Sequence, residues 1–371
     1  MQDKIERVLG RQMIFFLMIL FAIVFVTAQI SSQEEFNKDY ISKNNTQCIK
    51  GFFVILVLFS HYAQYVTLDS VWDAPYVALR GHLNQMVVVP FLFYSGYGIM
   101  VSIQKKGKLY VRSIMQKRFP KVWFDFCVAV TCFLVVNLIL DRVYPLKRVL
   151  LAYTGWESIG NSNWYILGVL ILYILTYLAF NFIPTKLIKN FEIIGCILLT
   201  VFTMAVVLIF MKAGRPDYYY NTLFLYHVGC WYAVFQKKID QLFQKNDFIY
   251  LVIFTAVVSG YCLSFIKRWD YGIEGYTIWA ITFMAVLLMI TMKVSFRSRI
   301  LSWYGNHVFS IYILQRIPMM ILSRTGLAAE HKYMFFILSF LMTTVVAIVF
   351  EKIVGELYSF LQNVSEKNKF N

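Results

Sequence analysis

Long apolar runs separated by short polar breaks organise the chain. A helix needs roughly 20 residues to cross a hydrocarbon core. By that measure the runs predict about eleven spans, at roughly 12–30, 50–68, 86–103, 122–140, 163–183, 191–211, 222–236, 247–266, 276–292, 300–323 and 333–355. The breaks leave no room for a soluble domain, and no internal repeat of 20–50 residues is visible. The short alternating segments of a membrane barrel are not evident. Backbone groups in lipid must be satisfied within each segment, so the expected fold class is an all-α integral membrane protein. The first run is too long for the apolar part of a signal peptide, and no clear cleavage site of small residues follows it. It is therefore read as a helix.

Composition fits this pattern. Hydrophobic residues make up 59% of the 371, aromatic residues 18%, and charged residues only 15%, against about 25% charged in a soluble domain. The net charge of +15 does not point to a nucleic-acid partner, because the basic residues stand in short loops, where they set topology. "QKKGKLYVRSIMQKR" (Gln104–Arg118) is the most basic stretch and is predicted to be a cytoplasmic loop. Alternation then places Ser31–Cys48 and the C-terminal tail inside, and the loops near Asp69–Gln85 and Asp141–Asn163 outside. The six cysteines lie in or beside apolar runs without metal-ligand spacing, so they read as packing residues, and no metal is expected.

One span carries two residues that lipid does not favour. "IKGFFVILVLFSHYAQ" (Ile49–Gln64) has Lys50 near one end and His61 deep in the run. Eleven steps of about 100° return His61 to within roughly 20° of the face of Lys50, about 16 Å further along the axis. In a span of 50–68 this puts Lys50 at the inner mouth and His61 near the middle of a core about 30 Å thick. A snorkelling anchor is the simplest reading of Lys50 taken alone. A histidine bonded to a neighbouring helix is the bland reading of His61. Intramembrane ionisable residues are nonetheless functional candidates, and histidine passes protons in either direction near neutral pH.

An Arg/Lys-x10-His pattern in an early helix resembles the signature of the acyltransferase family 3 membrane proteins. Further segments resemble that family in the expected order. "VVVPFLFYSGYGI" (Val87–Ile99) contains Ser95 and Gly96, and "VRSIMQKRFPKVW" (Val111–Trp123) contains Lys117, Arg118 and Pro120. "NWYILGVLILYIL" (Asn163–Leu175) begins at Trp164, and "LSWYGNHVFSIYILQ" (Leu301–Gln315) contains Tyr312. The last segment has Val308 where the family pattern has serine and Gln315 where it has histidine. The resemblance covers about residues 44–355. It implies a membrane domain over 44–355 with about ten helices, preceded by an extra N-terminal transmembrane helix and cytoplasmic linker (1–43) and followed by a cytoplasmic tail (356–371).

The resemblance also implies an activity: transfer of an acyl group, usually acetyl from cytosolic acetyl-CoA, onto a hydroxyl of a surface glycan or lipid-linked glycan. The protein would then be a multi-pass O-acetyltransferase of a bacterial plasma membrane, serving a capsule, exopolysaccharide or wall polymer. His61 is the candidate catalytic residue, as general base or as transient acyl carrier. Lys50, Lys117 and Arg118 are candidates for the CoA phosphates, although the positive-inside rule alone also predicts a basic inner loop. Ser95, Trp164, Tyr312 and Gln315 are candidates for the substrate path. Asp125 would orient Arg118 or form a simple interfacial ion pair. Trp72, Trp156, Trp269 and Tyr218–Tyr220 suit sugar faces and equally suit an interfacial aromatic belt. His227 is a further candidate for a cavity wall. A polysaccharide or lipid-linked sugar exporter is the alternative, since midplane polar residues are also a transporter trait.

Overall fold

The computed structural model describes residues 12–184 and 190–370, with side chains at 14–184 and 190–360. It is all-α except for one short ribbon. The helix α1 (Gln12–Thr27) runs into β1 (Ala28–Ile30), which pairs antiparallel with β2 (Val294–Phe296) in the register Ala28↔Phe296, Gln29↔Ser295 and Ile30↔Val294. The sequence predicts one span over 12–30, but the helix stops three residues early. Thr27 Oγ1 bonds back to the Ile23 carbonyl at 2.6 Å, and the next three residues find backbone partners in β2 instead.

The first half continues through α2 (Lys43–Tyr62), α3 (Ala74–Leu83), a 3-10 turn (Asn84–Val88), α4 (Val89–Ser113), a π turn (Ile114–Arg118), α5 (Phe119–Ile139) and α6 (Leu146–Tyr153). The second half holds α7 (Trp164–Asn181), α8 (Phe191–Lys212), α9 (Phe224–Phe243), α10 (Asp247–Lys267) and α11 (Gly272–Lys293). After β2 come α12 (Arg299–Asn306), α13 (Val308–Leu314), α14 (Arg316–Leu322), α15 (Leu327–Glu330) and α16 (Lys332–Phe370). Among the described residues, six helical stretches are long and apolar enough to cross a membrane, with Ala74–Ile139 taken as one run. The chain is thus a multi-pass membrane protein in character. α10 faces outward and buries only Tyr250. α2 is central, and every residue from Phe53 to Phe59 is buried. A helix apolar all round belongs in such a place.

Three elements differ from expectation, and each difference moves the site. α2 begins seven residues before the predicted 50 and ends six before 68. Its polar first turns are satisfied inside protein: Asn45 Nδ2 donates to the Asp39 carbonyl at 2.8 Å, and Thr46 Oγ1 to that of Ser42 at 3.0 Å. Lys50 therefore lies two turns inside the helix. His61 lies one residue from its end, about 13 Å from the helix midpoint at 1.5 Å per residue. Second, the basic stretch 104–118 is helical. Its lysines and arginines are good helix formers, and the chain bends at Gly107, whose φ of 56° suits glycine alone. Pro120 then sits in the first turn of α5, as its missing donor allows.

Third, the predicted span 300–323 is broken into α12, α13 and α14, at His307 and at Gln315. Pro318 has no N–H to give the Leu314 carbonyl, and its ring crowds that group, which explains the second break. Close packing holds this segment against α2. A Cβ on Gly51 would collide with the Leu301 carbonyl, and one on Gly305 with the Gln47 carbonyl. Gly96 of α4 and Gly229 of α9 approach each other's helices in the same reciprocal way. Small residues are what permit such contacts between membrane helices.

Candidate active site

Two cavities open beside α2, one at Lys50 and one at His61, and Tyr312 of α13 lines both. The first holds about 380 Å³, and its wall includes Lys50, Ser95, Arg118, Tyr165, Tyr173 and Tyr312. Gly51, locked against α12, fixes the rotation of α2 and so the direction of its neighbour Lys50. Arg118 comes from the π turn, with its guanidinium 5.7 Å from the Tyr110 ring. No acidic side chain lines this cavity. Neither cation has a carboxylate partner among the described residues. Two uncompensated cations at an otherwise aromatic wall suit a phosphorylated ligand, which arginine grips as a fork and lysine as a point charge.

The second cavity holds about 340 Å³ and is lined by His61, Asn161, Ser162, Trp164, Tyr312 and Arg316, among others. Ser162 Oγ lies 3.4 Å from His61 Nε2, a long and weak contact. His61 Nδ1 is buried without a partner. Gln315 and Arg316 are its polar neighbours, and the Gln315 Oε1 is likewise buried and unpaired. Ser162 and Gln315 are thus the hydrogen-bonding neighbours of the imidazole, and neither holds it in a short bond. The Tyr312 ring stands 6.3 Å from His61 and 5.2 Å from Tyr165, so it forms the partition between the two cavities.

The outer wall of this second cavity is a loop that carries its own scaffold. Asn137 Nδ2 donates to the Ile159 carbonyl at 2.7 Å. Asn163 Nδ2 donates to the Gly155 carbonyl at 2.6 Å. Asn161 Oδ1 accepts from Ile159 N at 3.1 Å. These bonds hold Ser162 against His61 and Trp164 at the rim. On the opposite side Asn84 adopts φ 43°, an uncommon conformation for a residue with a side chain and one often found at functional sites.

Of the residues singled out in the sequence, Lys50, Ser95, Arg118 and Tyr312 meet in one cavity, and His61, Trp164 and Tyr312 in the other. Gln315 is fully buried beside His61. Lys117 is exposed on the π turn and lines neither cavity. Asp125 pairs with Lys121 at 2.6 Å one turn back, and not with Arg118. His227 is buried and bonds Thr203 at 2.8 Å between α9 and α8, so it lines neither cavity. Sequence reasoning missed Arg316 and Ser162. Arg316 had a signal: it is an ionisable residue within a predicted span, the same property that drew attention to His61. Ser162 had none, since only the fold of its loop brings it to the histidine.

Residues 44–352 match a family model described as an acyltransferase domain. Neither a curated protein nor a solved structure matches the chain. The match spans well over half of the 371 residues and takes in both cavities, so the chain belongs to acyltransferase family 3 and is a membrane acyltransferase.

Proposed function

We propose that the protein transfers acetyl from acetyl-CoA onto a hydroxyl of a bacterial surface polysaccharide at the plasma membrane, with the donor in the Lys50 cavity and the acceptor in the His61 cavity. The observation that carries this reading is the single partition: one tyrosine, Tyr312, lines both a cationic cavity and a histidine cavity. Arg118 belongs to the most basic segment of the chain, which the Lys/Arg rule assigns to the cytoplasm, where acetyl-CoA is made, and Lys50 lines the same cavity. The His61 cavity then faces the other side. Its amides, hydroxyls and aromatic faces (Asn161, Ser162, Trp164, Tyr218) are the groups that bind sugars.

In this reading His61 takes the proton of the acceptor hydroxyl as its oxygen attacks the thioester carbonyl. The C–S bond breaks, the CoA thiolate leaves toward the Lys50 side, and the proton on His61 is passed to it. The test compares the surface polysaccharide of the wild type, a deletion strain and His61→Ala. Polymer still exported, but without O-acetyl in both mutants, supports the enzyme. Loss of the polymer itself, with normal acetylation of the remainder, supports an exporter. That alternative draws on the broken segment α12–α14, since interrupted helices also build transporter sites.

A further inference from the structure

We infer that the acceptor handled in the His61 cavity is anionic, carrying a carboxylate or phosphodiester close to the acylated hydroxyl, and that Arg316 is the residue that selects it. The inference rests on the proposed function in taking the His61 cavity as the acceptor side.

Arg316 opens α14 at the break after Gln315. Its Nη2 donates to the Gln64 Oε1. Its Nε is buried and has no partner. A snorkelling arginine would turn its whole guanidinium to water, but here part of the fork is held inside the wall. No acidic side chain lines the cavity, and Arg316 has no carboxylate partner among the described residues.

Three other partly buried cations in this protein are neutralised. Arg215 meets Glu157 at 3.4 Å, Lys293 meets Asp247 at 2.5 Å, and Lys332 meets Asp73 at 2.7 Å. A half-buried charge left without a partner costs stability, and because Arg316 lines a cavity with no acidic side chain, the ligand is where its anion can come from. One further feature agrees. Asn161 Nδ2 is a second buried, unpaired donor in the same wall. A planar fork with free N–H groups matches two oxygens of a carboxylate or phosphate, and a neutral sugar leaves it unsatisfied.

The test uses the full-length protein in lipid nanodiscs and three oligosaccharides of equal length: neutral, uronic-acid containing, and phosphodiester-linked. Binding is measured by calorimetry without donor, and transfer with acetyl-CoA. The wild type should bind at least one anionic oligosaccharide about tenfold or more tighter than the neutral one, in line with hydrogen bonds to charged groups. Whichever anion binds better names the source of the charge. Arg316→Gln should erase most of that preference, and Arg316→Lys should keep part of it. Equal binding of all three by the wild type, or a preference that survives Arg316→Gln, overturns the inference. Charge-selective binding without any acyl transfer would instead count against the enzyme reading and leave the anionic site standing.

Discussion

The walls around Lys50 are the interiors of packed helices. Ser95, Arg118, Tyr165 and Tyr173 come from α4, the π turn and α7, and glycine contacts on either side leave these helices little freedom. Around His61 the walls are helix ends and loops. They comprise the last turn of α2, the strained Asn84, the loop before α7, and the break between α13 and α14. The first cavity is cationic and aromatic, and the second is rich in amides and hydroxyls. A rigid site suits a ligand that never changes, as an acyl donor would be. Loops on a rigid scaffold are where specificity varies, as an acceptor site requires. On the proposed function, the difference between the two cavities divides the reaction by ligand as well as by place.

The sharpest way to break that division is His61→Ala. Removing a general base should lower acyl transfer by about a hundredfold to ten-thousandfold. Donor binding should survive, because His61 does not line the Lys50 cavity. Transfer assays and CoA-binding isotherms on the same preparation check both halves. Loss of donor binding together with transfer would mean that the two cavities are one site.

Lys50→Glu attacks the other side. Reversing a charge at a phosphate contact should weaken donor affinity by about tenfold to a hundredfold, while Lys50→Arg should stay within a few-fold of the wild type. Titration at rising salt should flatten the difference if Lys50 acts as a charge. Full donor affinity in Lys50→Glu would remove Lys50 from the donor site.

Tyr312 tests the partition itself. Tyr312→Ala should join the cavities and admit water to the donor, so acetyl-CoA hydrolysis without acceptor should rise several-fold relative to transfer. Truncating a buried aromatic also costs about 3–5 kcal/mol, so the melting temperature should be followed in parallel. Tyr312→Phe keeps the ring and should leave hydrolysis low. A leak in Tyr312→Phe would shift the role from the ring to the hydroxyl, which is buried and unpaired.

Much of this arrangement was legible in the chain. Apolar run lengths place most of the long helices, and the ordered motifs single out Lys50, Ser95, Arg118, Trp164 and Tyr312. What was not legible follows from tertiary packing. Asn45 and Thr46 are polar, so they look like loop residues, yet protein partners let them open α2, and that places His61 at the helix end. Hydropathy shows α12–α14 as one apolar run, because a break satisfied inside protein leaves the average unchanged. The β1–β2 ribbon joins residues more than 260 positions apart, a pairing that no local pattern announces.

Lys117 carries the smallest expected effect and draws the border of the donor cavity. It neighbours Arg118 in the chain and shares its π turn. The structure separates them by the cavity alone: both are exposed, but Arg118 lines the cavity and Lys117 does not. Successive helical residues point roughly 100° apart or a little less, enough for one to reach the cavity wall and its neighbour to miss it. Lys117→Ala should therefore change donor affinity by no more than about twofold, within the ±0.5 kcal/mol usual for an exposed substitution. Arg118→Ala should cost about tenfold or more, as expected for a hydrogen bond to a charged group. Equal losses in the two variants, measured by donor titration at low salt, would mean that the phosphates spread over the whole turn and the site is a basic surface. A clear gap between them would mean that the donor is gripped by one fork and one point charge, and that the remaining basic residues of the segment serve topology.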